Sequence, residues 1–180
     1  MDFREFPKMP RLSREIFITE KIDGTNASVA ITEDGAFLTG SRTRWITPHD
    51  DNYGFSAWAH DNREELMKLG PGVHFGEWWG LGIQREYGMD RKVFSLFNVH
   101  RWEDDSVRPA CCSVVPVLYR GPFDTETING TLAVLAVEGS AAAPGFMDPE
   151  GIVIFHTAAN LCFKKTIRKD DVPKALANAA

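Results

Sequence analysis

Two residues of opposite charge stand two positions apart in "ITEKIDGTNASVAI" (residues 18–31), Lys21 and Asp23, and a glycine follows at once. The alternation of "EIFITEKI" predicts a β-strand. Strand residues at i and i+2 share a face, so Lys21 and Asp23 would point the same way. Gly24 would let backbone approach a ligand closely. A lysine is a nucleophile only when neutral. With a free pKa near 10.4, less than about a thousandth of it is neutral at pH 7. An active lysine therefore needs desolvation, a nearby cation, or a base to take its proton. Ile18, Ile22 and Val29 offer Lys21 a semi-apolar setting. Taken alone, K-x-D-G equally describes an ion pair at the end of a surface strand.

The elements that must hold such groups are legible in outline. Pro7 and Pro10 break any helix in residues 1–14. "NASVAITEDGAFLTGSR" predicts a hairpin turning at Asp34-Gly35. "PHDDNYGFSAWAHDNREELMKLG" predicts one helix, starting near Asp50–Tyr53 and stopping at Gly70. "GVHFGEWWG", "KVFSLFNVHRW" and "SVVPVLYRG" predict strands, and the adjacent Trp78 and Trp79 would face opposite sides. "DTETINGTLAVLAVEGS" predicts a helix capped by Asp124 or Thr125, and "EGIVIFHTAANLCFKKTI" a second hairpin. "DDVPKALANAA" predicts a short frayed helix or tail. No repeat or low-complexity linker interrupts the chain. Strands come in hairpins rather than in strand–helix alternation, which predicts an α+β fold with antiparallel sheets and flanking helices.

Composition narrows the classes. The 180 residues suit a single domain, with 43% hydrophobic and 25% charged residues. A net charge of -5 argues against a generic basic nucleic-acid coat but leaves room for a local basic groove. The three cysteines, with Cys111 and Cys112 adjacent, form no disulfide framework and no zinc spacing. They suit a reducing compartment. His49, His60, His74, His100 and His156 show no pair at metal-ligand spacing, and "WEDDS" (102–106) reads as a solvated loop. Neither a signal peptide nor a run approaching the roughly 20 apolar residues of a membrane span is evident. The expectation is a cytoplasmic protein with no membrane association.

The pattern around Lys21 has company. "EKIDGTN" resembles the nucleotidyl-transfer motif of the covalent nucleotidyltransferases, the polynucleotide ligases and mRNA capping enzymes. Five further segments are similar to that family's motifs, in its order: "GSRTRW" (40–45), "HFGEWWG" (74–80), "FSLFNV" (94–99), "EGIVI" (150–154) and "LCFKKTI" (161–167). Asn26, at the sixth position of the first motif, is similar to the second (KxDGTN) group of ATP-dependent RNA ligases. The resemblance implies an ATP-grasp-like ligase domain over residues 1–180, with no C-terminal OB or helical domain. It implies Lys21 as the adenylated nucleophile, with Asp23 orienting it or contacting ribose and metal. Glu20 and Ile22 would place backbone beside the purine, with Glu20 reading the exocyclic amine. Asn26 would contact phosphate or the acceptor 3′ end, and Arg42 ribose or phosphates. Arg44, of the same parity, could reach the RNA. Glu77 would accept hydrogen bonds from ribose hydroxyls, and Phe97 would stack on the adenine. Glu150 would be a metal carboxylate beside Asp23. Lys164 would hold the α-phosphate, with Lys165 as the other candidate, because the chain reads Lys164-Lys165-Thr166 where many ligases show K-x-K.

The activity so implied is ATP-dependent RNA joining with Mg²⁺ or Mn²⁺. AMP passes from Lys21 to an RNA 5′-phosphate, and a 3′-OH then attacks. The resemblance leaves room for a protein partner in place of a second domain. A DNA ligase, a GTP-dependent capping enzyme, and a nucleotide- or RNA-binding module without turnover are the alternatives.

Overall fold

Period-two patterning in residues 15–46 and 151–166 builds strands, and two sheets result. The structure, a computed structural model, describes residues 1–168. The expected tail helix at 170–180 lies outside the described residues. In chain order the strands are β1 (Glu15–Lys21), β2 (Thr25–Ile31), β3 (Phe37–Gly40), β4 (Trp45–Ile46), β5 (Gly72–Gly80), β6 (Lys92–Leu96), β7 (Cys112–Val114), β8 (Val117–Pro122), β9 (Gly151–His156) and β10 (Leu161–Thr166). The helices are α1 (Phe55–Asp61), α2 (Arg63–Leu66), α3 (Val99–Trp102) and α4 (Thr125–Glu138). The α+β class with hairpin-built sheets is as expected. The chain divides into two compact units. Among the described residues, one holds 1–21, 117–140 and 147–168, and the other 22–116 and 141–146.

In the first unit an antiparallel sheet runs β10-β9-β1-β8. Ile16, Ile18, Ile152 and Ile154 turn to one side and bury against Leu135 of α4, with Ile128 and Leu132 beside it. Asp124 starts α4 as expected, its carboxylate accepting from the Thr127 N–H at 2.7 Å. Register then assigns every other side chain to a face. Glu20 pairs with Ile152 and Ile152 with Lys165, so these three share the helix-covered side. Thr19, Val153 and Lys164 form a row on the opposite side, and Lys21, Gly151 and Thr166 form the next.

In the second unit a sheet runs β4-β3-β2-β5-β6-β7, antiparallel except for the parallel β6–β7 pair. Its covered face contributes Ala27, Val29, Ile31, Trp78, Phe94 and Leu96, which bury against Phe55, Ala59, Leu66 and Leu69. Phe55 lies at the centre of an aromatic cluster, 4.9 Å from Phe94 and 5.5 Å from Trp78 between ring centroids. Trp79, on the other face, is also buried, and its indole N–H donates to the Ser95 hydroxyl at 2.9 Å. The hairpin turns where expected, with Gly35 at φ 83°.

Three elements depart from expectation. The single helix over 50–70 is two short helices and a 3₁₀ turn (Met67–Leu69). Gly54, left-handed at φ 79°, delays the start. The Asp51 carboxylate caps α1 by accepting from the Ser56 and Ala57 N–H groups at 2.7 and 2.9 Å. Asn62 breaks the run, its amide donating to the Trp58 carbonyl at 2.8 Å. The strand expected to run to Trp102 stops at Leu96, because Asn98 accepts from the Arg101 N–H at 3.2 Å and caps α3. "SVVPVLYRG" divides at Pro116 into β7 and β8, which belong to different sheets.

Candidate active site

The candidate residues divide between the two units. In the first, Lys21 is the last residue of β1, and its ammonium makes an ion pair with the Glu150 carboxylate. Both side chains keep partial access to solvent, at 24% and 19%. Glu150 stands immediately before β9, and its carbonyl accepts from the Ile167 N–H at 3.0 Å, which holds this end of the β9–β10 hairpin closed. A Cβ at Gly151 would lie 2.3 Å from the Lys165 carbonyl oxygen. Glycine therefore lets β10 close on β9 in the row of Lys21 and Thr166. Lys164 falls on the Lys21 face and Lys165 on the helix-covered face. Glu20 is buried on that covered face, accepting from the Ser140 hydroxyl at 2.6 Å. Its side chain thus points away from the Lys21 face, and only its backbone is common to both.

In the second unit the chain continues through Ile22, which is buried, into Asp23. The Asp23 carboxylate accepts from Arg85 Nε at 2.8 Å, and its N–H donates to the Tyr87 hydroxyl at 2.8 Å. The Gly24 N–H donates to Glu77 Oε1 at 3.1 Å, and the Asn26 amide donates to Glu77 Oε2 at 3.2 Å. Both oxygens of Glu77 are thus engaged by the K-x-D-G-T-N segment. A Cβ at Gly24 would meet the Trp78 carbonyl at 2.5 Å and the Trp79 Cβ at 2.7 Å, so only glycine lets this turn lie flat on β5. Arg42 is exposed in the β3–β4 turn. Arg44 is held by both oxygens of Asp50, at 2.5 and 2.9 Å. Phe97 follows β6, 40% exposed, its N–H donating to the Phe75 carbonyl at 3.0 Å.

Arg85 and Tyr87 carry no signal in the sequence pattern. They sit in the loop after β5, where Gln84, Glu86 and Tyr87 adopt φ of 48°, 56° and 53°. Tyr87 is 2% exposed and stacks edge-on against Trp79 at 5.2 Å. The clue available was the glycine punctuation at Gly82 and Gly88, which marks an irregular path but not its partners.

Among the described residues no three His, Cys, Asp or Glu side chains cluster as a metal cage. A hard divalent ion bound largely through phosphates and water needs only one or two carboxylates. Glu150 and Asp23 are each partly exposed and each in an ion pair, with Lys21 and with Arg85, and either carboxylate fits that modest demand.

Comparison with known proteins bears on the fold and the family. The RNA ligase family profile matches residues 14–169. Solved structures of Naegleria gruberi RNA ligase share the fold. A form with AMP and manganese aligns at a TM-score of 0.65 and 18% identity, over 86% of this chain and 50% of that one. A form with ATP and manganese aligns at 0.63 and 18%, over 84% and 48%. A form with pyrophosphate aligns at 0.62 and 19%, over 86% and 50%. This chain therefore spans about half the length of those ligases. No curated protein matches it. With ordered motifs along nearly the whole chain and a family profile covering residues 14–169, the protein belongs to the RNA ligase family.

Proposed function

We propose that this chain carries the adenylyl-transfer chemistry of an ATP-dependent RNA ligase, with Lys21 as the nucleophile. The observation that supports it most directly is the common face of the four-stranded sheet. Lys21 is paired there with Glu150, and Lys164 stands one row away. Lys21 Nζ would attack the α-phosphorus of ATP, forming a P–N bond as the P–O bond to pyrophosphate breaks. Glu150 is the group placed to accept an Nζ proton, and Lys164 adds positive charge where the phosphate oxygens gather it. Glu150 is also suited to hold Mg²⁺ or Mn²⁺, as is Asp23, and such an ion, when bound, would offset phosphate charge.

In the second unit Glu77, oriented by Gly24 and Asn26, would accept from ribose hydroxyls. Phe97 would offer a face to adenine, and Arg42 a fork for phosphate. Holding these groups in place before ATP arrives is itself a contribution to rate. AMP then passes to an RNA 5′-phosphate, and a 3′-OH displaces it to seal the strand.

The test is incubation with α-labelled ATP and a divalent ion, followed by denaturing electrophoresis. Wild type should carry label and Lys21→Ala none. Labelling of Lys21→Ala would move the nucleophile elsewhere. Labelling from GTP in preference to ATP would favour a capping-type enzyme. No label from either nucleotide would leave a binding module.

A further inference from the structure

The six-stranded sheet has a second face, turned away from its helices, and pairing sorts that face into rows. Asn26, Glu77 and Ser95 form a polar row. Gly40, Ser28 and Phe75 form the next, continued by Phe97. Leu38, Ala30 and Val73 form the third. Trp45 pairs with Gly40, and its ring atoms lie 3.2–3.3 Å from where a Gly40 Cβ would sit, so the indole lies over the glycine on this face.

Exposure gives these rows relief. Trp45 is 56% exposed, Phe75 60%, Leu38 43% and Val73 50%, while Ser28 and Ala30 between them are each 5% exposed. Small residues on β2 form the floor of a shallow trough. Trp45 and Leu38 line one side, and Phe75 and Val73 the other, two strand spacings or roughly 10 Å apart. One end runs into the row of Asn26 and Glu77. Arg42 stands exposed in the turn between Gly40 and Trp45. Exposed aromatic faces beside a cation suit unpaired nucleotides, because every base has a face to stack and every linkage a charge to neutralise.

We propose that this trough is a stacking platform for unpaired nucleotides at an RNA end, and that it directs the protein to RNA with single-stranded termini in preference to fully paired duplex. The proposal rests on the functional reading above for its substrate, but not for its test. Fluorescence anisotropy of a labelled, 5′-phosphorylated single strand and of a blunt duplex of equal length reads binding without ATP. Wild type should bind the single strand more tightly. Trp45→Ala and Phe75→Ala should each weaken that binding about tenfold or more and leave duplex binding unchanged. Trp45→Phe and Phe75→Tyr should restore it, which separates loss of stacking from loss of fold. Arg42→Ala should flatten the salt dependence of single-strand binding.

Equal affinity of wild type for both RNAs, or alanine variants that bind the single strand as wild type does, would overturn the proposal. So would variants that change the sedimenting mass while leaving RNA affinity alone, since the face would then belong to a second copy. Absence of label on Lys21 in the separate ATP assay would remove the adenylylation reading without touching the binding result.

Discussion

The two units place their candidate groups by different means. In the four-stranded unit, strand parity does the sorting. One face packs on α4 and the other carries Lys21, Val153 and Lys164. In the six-stranded unit, a flat turn and an irregular loop do it, with Gly24 lying on β5 and Arg85 reaching Asp23 from a segment of left-handed residues. Parity is robust, because a one-residue slip would expose a whole apolar row. Turn and loop geometry is less protected, because each contact depends on its own side chain.

The sharpest test of this contrast compares neighbouring lysines. Lys164→Ala should lower labelling from ATP by about a hundredfold or more, the scale of removing a charge that stabilises the transition state. Lys165→Ala should cost less than about fivefold, since its side chain turns to the covered face. Similar losses would show that register does not choose between them. Next in size is Gly24→Ala, whose Cβ has no room against the Trp78 carbonyl. Denaturant titration should find it destabilised by about 1–3 kcal/mol, and labelling should fall with it. Arg85→Ala should lower labelling about tenfold with little loss of stability, as expected when a charged hydrogen bond orienting a carboxylate is removed. An unchanged rate would confine the Asp23–Arg85 pair to structure.

The smallest effect is a pH dependence confined to the six-stranded unit. Burial pushes the His74 pKa down, and the Arg101 charge adds to this, against the hydrogen bond from its Nε2 to the Gly70 carbonyl at 2.9 Å. The unfolded chain then binds the proton more readily than the folded one. The contribution is complete above the ordinary histidine range near pH 6.5 and declines as pH falls toward the lower folded value. Unfolding midpoints of His74→Gln should lack that part of the decline between pH 7 and 5. Parallel curves for the two proteins would assign the loss to other groups.

The same contrast explains what could be read before the structure. Lys21, Glu150 and Lys164 were marked as candidates by the ordered motifs, but the choice of face between Lys164 and Lys165 became visible only through the pairing of β10 with β9. Tyr87 and Arg85 were not marked, since a loop with three left-handed non-glycine residues has no period to read. The break at Asn62 was hidden because its cause is a side-chain bond back to the Trp58 carbonyl within an otherwise helical composition. The division of "SVVPVLYRG" was marked by Pro116, but nothing local says that its two halves belong to different sheets.

The Lys21–Glu150 pair joins residues 129 positions apart. During synthesis at about 5–20 residues per second, Glu150 follows Lys21 by roughly 6 to 26 s. Residues 22–116 need little from later in the chain, whereas β1 must wait for β8 and β9. Lys21 is thus made early and paired late. A nascent chain has its large sheet within reach while Lys21 still lacks Glu150, so the ion pair can form only after β9 has been made.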